Sequence, residues 1–318
     1  MSIPQYDLDG LGGEFKITQE LERAVAEFLG VKHCVFATSG TAAIFLALRA
    51  TGAKKVAIPS LTMIGTATAA ELAGCEIVFV YGNELPPDVD TYVHVSLNGR
   101  DCGIEDVIKT NPNVTIIEDA CQAFGSQYNS RYLGTFGKVG CFSFSPHKIL
   151  SAGNGGCVVT DDDDIAREVR QLKNFGRESG GADQHDHIGY NFKFTDIQAK
   201  FVLEQFSELS SRIEKKKEMY VRYYQGLSNI MRSHMGTPWF VDVYVDDRDE
   251  LATYLFEQAI GTRKMYPLIP TQPPFASYPI YGDSSTDKKY SERGLWLPSS
   301  LTLTEEEIDY IIKQVRMW

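Results

Sequence analysis

The chain has 318 residues, 43% hydrophobic and 23% charged, the balance of a folded globular protein rather than of a disordered chain. A formal net charge of −11 argues against the basic face of a nucleic-acid binder, and leaves any anionic substrate to local Arg, Lys or helix N-termini. No apolar run approaches the roughly 18 residues of a membrane span, and Met1 to Asp7 lack the basic and then apolar form of a secretory signal, so a cytoplasmic protein is expected.

The length suits one large domain and a smaller one. Residues 34–38 read as a strand, 40–49 as an apolar helix, 55–58 as a strand closed by Pro59, and 63–72 as an Ala- and Thr-rich helix. Residues 76–80, 92–96 and 114–117 are three further strands, the last running into Glu118-Asp119. This alternation predicts a mostly parallel sheet covered by helices on both faces. Residues 139–144 and 156–160 predict two more strands around a Gly-rich loop, and 163–174 an amphipathic helix. Residues 195–227 carry Ile197, Phe201, Leu203, Phe206, Leu209 and Ile213 near helical spacing, which reads as a long helix leading into a small C-terminal domain. There, residues 239–245 read as a strand and 250–260 as a helix, and Thr304 with Glu307 forms a capping box for the last helix.

The six cysteines, none in a CxxC pair, are expected as small core residues of a reducing compartment, with zinc ligation the weaker alternative. His185 and His187, with no third partner in view, are expected in solvent rather than on a metal. Tyr220, Tyr223 and Tyr224 are expected to pack one helical face onto the small domain.

In open α/β sheets, ligands sit beyond the carboxyl ends of the strands. Ser39-Gly40-Thr41 opens a helix there; it suits a phosphate, or is an ordinary N-cap. It is not a Walker loop, and Gly10-Leu11-Gly12-Gly13 precedes every strand. Asp119 is either a satisfied cap or a carboxylate for a protonated ring nitrogen. Lys148, between an apolar strand ending near Ser143 and the loop Gly153-Asn154-Gly155-Gly156, is a Schiff-base nucleophile or a surface lysine.

The stretches Thr38-Ser39-Gly40-Thr41-Ala42-Ala43, Ile58-Pro59-Ser60-Leu61-Thr62, Ile117-Glu118-Asp119-Ala120-Cys121-Gln122-Ala123-Phe124-Gly125, Gly140-Cys141-Phe142-Ser143-Phe144, Lys148 with its Gly-rich loop, Gly189-Tyr190-Asn191-Phe192-Lys193, Thr262-Arg263 and Leu297-Pro298-Ser299 stand in this order. Together they resemble the DegT/StrS family of fold-type-I pyridoxal-phosphate (PLP)-dependent aminotransferases, which act on nucleotide-linked keto sugars.

The resemblance implies an α/β fold with a seven-stranded, mostly parallel sheet. It implies a large PLP-binding domain with an N-terminal arm over residues 1–208 and a smaller α+β domain over 209–318. Lys148 would carry PLP, Asp119 would face the ring nitrogen and Gln122 would lie near the ring hydroxyl. Ser39, Gly40, Thr41 and Ser143 would hold the phosphate, Met63 would cover the ring, and Asn191 would reach the phosphate of a neighbouring subunit in a homodimer. Arg263, His147 and Lys193 would meet substrate. The implied reaction is ping-pong: L-glutamate gives its amino group and leaves as 2-oxoglutarate. A 4-keto-6-deoxy sugar on GDP or dTDP then receives the amino group, as in forming perosamine or viosamine.

Three departures from the family pattern stand out: Met63 where an aromatic is common, Lys193 where Arg is common, and shortened segments at 80–114 and 230–239. The alternatives are a sugar 3-dehydratase of the same fold, in which histidine replaces the cofactor lysine, and a non-catalytic sugar-nucleotide-binding or regulatory protein. Lys148 disfavours the first, and its joint presence with Asp119, Gln122 and Ser143 disfavours the second.

Overall fold

The computed structural model describes residues 16–177, 185 and 187–318; the expected N-terminal arm lies outside them, and so does Asp186 between the two loop histidines. The elements run α1 (Lys16–Leu29), β1 (His33–Ala37), α2 (Gly40–Thr51), β2 (Lys55–Pro59), α3 (Gly65–Ala73), β3 (Glu76–Val80), β4 (Thr91–Val95), α4 (Ile104–Thr110), β5 (Thr115–Asp119), a small hairpin of β6 (Gln127–Tyr128) and β7 (Arg131–Tyr132), β8 (Val139–Ser143) and β9 (Gly156–Thr160). They continue with α5 (Asp163–Lys173), α6 (Asp196–Phe206), α7 (Leu209–Leu227), β10 (Val241–Tyr244), α8 (Arg248–Glu257), β11 (Arg263–Lys264), β12 (Ile280–Tyr281), α9 (Ser285–Arg293), β13 (Gly294–Leu297) and α10 (Glu305–Met317).

The main sheet has the order β1-β9-β8-β5-β4-β2-β3-β12, and only β9 runs against the others. The seven expected strands are all in it. The eighth, β12, is a two-residue edge strand contributed from late in the chain and carries no alternation that would reveal it.

Successive side chains on a strand face opposite sides, and the core divides accordingly. Cys34, Phe36, Ala57, Ile116, Phe142 and Cys157 join one buried cluster with residues of α1 and α6. Val35, Ala37, Val56, Ile58, Ile117, Cys141 and Val158 join the other with α2, α3 and α5. The same alternation separates Glu118 from Asp119. Glu118 turns inward, where its two carboxylate oxygens accept the Gly134 and Gly137 N–H groups at 2.7 and 2.6 Å. Burial pushes its carboxyl above the usual range, and those N–H groups oppose the rise.

A third apolar cluster packs α7, α8 and α10 on the antiparallel sheet β10-β13-β11. Tyr220 and Tyr223 are buried in it, whereas Tyr224 stays 37% exposed. The long helix expected over 195–227 is two helices. Ser207 and Ser211 hydroxyls donate to the carbonyls of Glu204 and Glu208, side-chain bonds that compete with the helical ladder. Helix α6 begins in a capping box of Thr195 and Gln198, and α10 in the expected one of Thr304 and Glu307. Cys34, Cys75, Cys141 and Cys157 are buried and Cys121 half-buried, but Cys102 is exposed, on the turn before α4. His185 and His187 are exposed, and the His185 ring meets the Phe175 carbonyl at 2.8 Å. Among the described residues no helix is long and apolar enough to cross a membrane.

The main sheet is tied to β10 by a buried ion pair. Arg100, just after β4, donates to both Asp242 oxygens at 2.8 Å, and the Tyr244 hydroxyl donates to the same carboxylate at 2.7 Å. Burial pushes the Asp242 carboxyl up, but the Arg100 guanidinium and the hydrogen bonds hold it below the usual range. Removing one partner leaves an uncompensated buried charge. We therefore expect Asp242→Ala to lose about 3–5 kcal/mol of stability, read from the urea midpoint at constant slope.

Candidate active site

The carboxyl ends of β1, β2, β5 and β8 deliver four loops to one place. After β1, Ser39 caps α2 by accepting the Ala42 N–H at 3.1 Å. The ordinary-cap reading and the phosphate reading therefore coexist, because the first N–H groups of a helix have no partner within it. Gly40 is required there by space. A Cβ on it would stand 2.7 Å from Cys121 Sγ and 2.9 Å from Ser143 Cβ. After β2, the Met63 thioether accepts the Gly65 N–H at 3.0 Å. A Cβ on Gly65 would meet both Met63 Cε at 2.7 Å and Thr41 Oγ1 at 2.8 Å. Met63 was expected inside the helix that starts at Gly65; it stays outside because its own sulfur takes the first helical donor.

At the end of β5, Asp119 accepts the Thr66 hydroxyl at 2.7 Å and the Cys121 N–H at 3.1 Å. Gln122 accepts the Asn98 N–H at 2.8 Å and stands 3.5 Å from the Tyr266 hydroxyl. Beyond β8, Lys148 lies on a tight loop closed by its N–H to the Ser145 carbonyl at 3.0 Å. Its Nζ stands 3.2 Å from the centre of the Trp239 ring. Burial pushes the Lys148 amine down to about 8; Asp119 opposes the fall and Arg263 adds to it.

Lys148 and Trp239 line two spaces. The inner one, with Cys121, Gln122 and Ser143, is only about 20 Å³. The outer cleft is about 520 Å³, and His147, Lys216, Arg263, Trp296 and Ser299 are among its walls. Arg263 lies over the Trp296 and Tyr266 rings at 5.2 and 5.7 Å. His147 is exposed and contributes its carbonyl, which accepts the Trp239 indole N–H at 2.7 Å.

Of the expected site residues, Ser39, Gly40, Thr41, Met63, Asp119, Gln122, Ser143 and Lys148 converge, and His147 and Arg263 border the cleft. Asn191 and Lys193 stay with the segment after α5. Asn191 is exposed and bridged to Asn174, and Lys193 Nζ lies 4.5 Å from the Phe175 ring centre.

Sequence reasoning missed Thr66, Asn98, Lys216, Trp239 and Tyr266. Trp239 was expected to open a strand. Strand β10 begins instead at Val241, because the Trp239 and Phe240 N–H groups donate to Asn98 Oδ1 at 3.0 and 2.7 Å. Lys216 Nζ donates to the Trp239 carbonyl at 3.1 Å and to the Ser299 carbonyl; burial pushes its amine to about 8 as well.

This donor set fits PLP. It offers a helix N-terminus whose glycine leaves room for a phosphate, hydroxyls at Thr41 and Ser143, a fixed carboxylate, and an amine of reduced basicity. With the sheet order, it defines a fold-type-I PLP-dependent transferase. The chain belongs to the DegT/DnrJ/EryC1/StrS aminotransferase family, whose pattern matches residues 13–316, and it is an aminotransferase. It is 28% identical over 324 residues to a GDP-perosamine synthase of Escherichia coli O157:H7, covering 93% of this chain and 88% of that protein. It is 30% identical over 322 residues to the UDP-N-acetyl-3-dehydro-alpha-D-glucosamine 3-aminotransferase of Acidithiobacillus ferrooxidans, covering 93% and 87%. A crystal structure of a DegT DnrJ EryC1 StrS aminotransferase from Brucella abortus, 25% identical, superposes with a TM-score of 0.89 over 96% of this chain and 91% of that one.

Two outcomes follow. With its amine at about 8, Lys148 is about 9% neutral at pH 7, where an ordinary lysine is about 0.04% neutral. The rate of PLP uptake, followed by absorbance, is expected to rise up to about pH 8 and level off near 9, rather than climbing beyond 10. Gly40→Ala is expected to weaken PLP retention at least about tenfold by crowding the phosphate cradle, measured by cofactor titration, with the fold intact by circular dichroism.

Proposed function

We propose that the enzyme moves the amino group of L-glutamate to a keto sugar carried on a nucleotide, with position 4 of a 6-deoxyhexose on GDP or dTDP as the acceptor. The observation that carries this reading is the placement of Lys148. Its amine has reduced basicity, feels the Asp119 carboxylate and lines an open cleft together with Arg263. The sugar-nucleotide substrates in the names of two relatives support the substrate class.

When bound, PLP supplies a carbonyl carbon that amines attack and a protonated ring that accepts electrons. Gly40, Thr41 and Ser143 would hold its phosphate, Met63 would cover one ring face, and Gln122 would meet the ring hydroxyl. Asp119 would keep the ring nitrogen protonated, its carboxylate held in place by Thr66 and the Cys121 N–H. Lys148 Nζ would take a proton from the amino-acid carbon as base and then give it up as acid. A lysine near pKa 8 can do both close to neutral pH. Arg263 binds substrate anion, a diphosphate or carboxylate, with His147 at the cleft mouth.

We read the active unit as a homodimer in which Asn191 and Lys193 serve the neighbouring site. The exposure of Asn191, together with Ile188, Ile197 and Phe201 on nearby surface, supports this. We divide the chain into a large domain to residue 208 and a smaller one from 209, with β12 returning to the large sheet. The half-buried thiol of Cys121 beside the site fits a reducing cytoplasm.

The test is mass spectrometry with ¹⁵N-glutamate and a panel of keto-sugar nucleotides. Label is expected in a 4-amino-6-deoxy sugar on GDP or dTDP. Arg263→Ala is expected to raise KM for the sugar nucleotide at least about tenfold. Label only in a 3-amino product, or none with any nucleotide sugar, would contradict the proposed acceptor.

A further inference from the structure

Trp239 touches Lys148 in a way that the transfer chemistry alone does not require. The ammonium stands 3.2 Å from the ring centre, well inside the roughly 6 Å reach of a cation–π contact, for which tryptophan is the best partner. Trp239 is held at three points, one on its ring and two on its backbone. Its indole N–H donates to the carbonyl of His147, the residue before Lys148. Its backbone N–H donates to Asn98 Oδ1, and its carbonyl accepts Lys216 Nζ. The clasp to His147 ties the ring to the lysine's own loop. Trp239 also lines both the inner space and the outer cleft, as do Lys148, Ile149 and Lys216.

Resting on the function proposed above, we infer that Trp239 is the positioning residue for the released lysine: its indole face is the berth that the Lys148 amine occupies whenever it is detached from the cofactor, between one proton transfer and the next. A four-carbon stem with a free head has many rotamers to search. A fixed aromatic face beside the reacting centre cuts that search and keeps the head on the cofactor side of the cleft. The berth attracts the protonated amine without forming a hydrogen bond that would have to break first.

The charged and titratable groups around Lys148 are Cys121, Asp119 and Arg263, with Lys216 and His147 on the adjoining walls; Trp239→Leu changes none of them. Leucine preserves an apolar wall and removes the ring face. The protonated amine then loses its partner, which moves its midpoint down; the eased burial beside a smaller side chain opposes that fall, so the net shift is less than the loss of the contact alone. The experiment follows Lys148 acetylation in the cofactor-free chain by peptide mass spectrometry from pH 6 to 10. In parallel it measures single-turnover amino transfer from glutamate over the same range, for wild type, Trp239→Phe and Trp239→Leu.

With Leu, the acetylation midpoint is expected to fall by about one pH unit. The transfer rate is expected to drop about tenfold, with the glutamate concentration dependence within about twofold. Trp239→Phe, which keeps a ring face, is expected to stay within about 0.3 unit of wild type. Should the leucine variant fail to fold, Trp239→Met removes the ring with an unbranched side chain that adapts better to the gap, and the same shift is expected. An unchanged midpoint and an unchanged rate profile in a folded ring-less variant would overturn the berth. Failure of the wild type to take up PLP would overturn the function instead, and the cofactor-free titration would still decide where the amine sits.

Discussion

One buried asparagine joins the two halves of this site. Asn98 is 1% exposed and sits in the left-handed region, φ 55°, a conformation that asparagine tolerates better than most residues. Its N–H goes to Gln122, just beyond the end of β5. Its side-chain oxygen takes the N–H groups of Trp239 and Phe240, its amide donates to the Phe240 carbonyl, and its own carbonyl meets the His234 ring. Five polar contacts from one residue thus fix the wall containing Trp239 relative to the carboxyl end of β5. Buried polar groups satisfied this fully specify one arrangement; half-satisfied, they would favour none.

Around that joint, the sheet serves as a ruler. Parallel strands end together, so Ser39, Asp119 and Ser143 arrive at one level. Strand alternation then assigns neighbouring carboxylates opposite duties. Glu118 faces in and holds the loop at Gly134 and Gly137, while Asp119 faces the site. The Arg100–Asp242 pair does for the body of the structure what Asn98 does for the site, fixing β10 to the main sheet a few residues beyond Trp239.

How much of this was legible follows from the range of the interactions. The seven main strands were readable because each carries its own five-residue apolar signal. Lys148, Asp119 and the Ser39-Gly40-Thr41 turn were readable as a set because they lie at strand ends in a family order. Trp239, Lys216 and Asn98 were not. Their partners stand well over a hundred residues apart for the Asn98–Trp239 bond, and nothing local in Pro238-Trp239-Phe240 distinguishes a cleft wall from the start of a strand. Met63 was legible as a departure but not as a solution. Its sulfur accepts the Gly65 N–H, and its methyl and the Thr41 hydroxyl both crowd the place of a Cβ on Gly65, so the thioether is part of the turn before α3. Edge strand β12, two residues long, left no periodic trace at all.

The central claim is that Lys148, and not another amine, carries the cofactor. Lys216 makes this a sharp question, because burial brings its amine to about 8 too and it lines the same cleft. Loading the protein with PLP, reducing with borohydride and mapping the peptides answers it. The account predicts a phosphopyridoxyl mass on the peptide containing Lys148 and its loss in Lys148→Ala. The same mass on Lys216, or on no lysine, would contradict it.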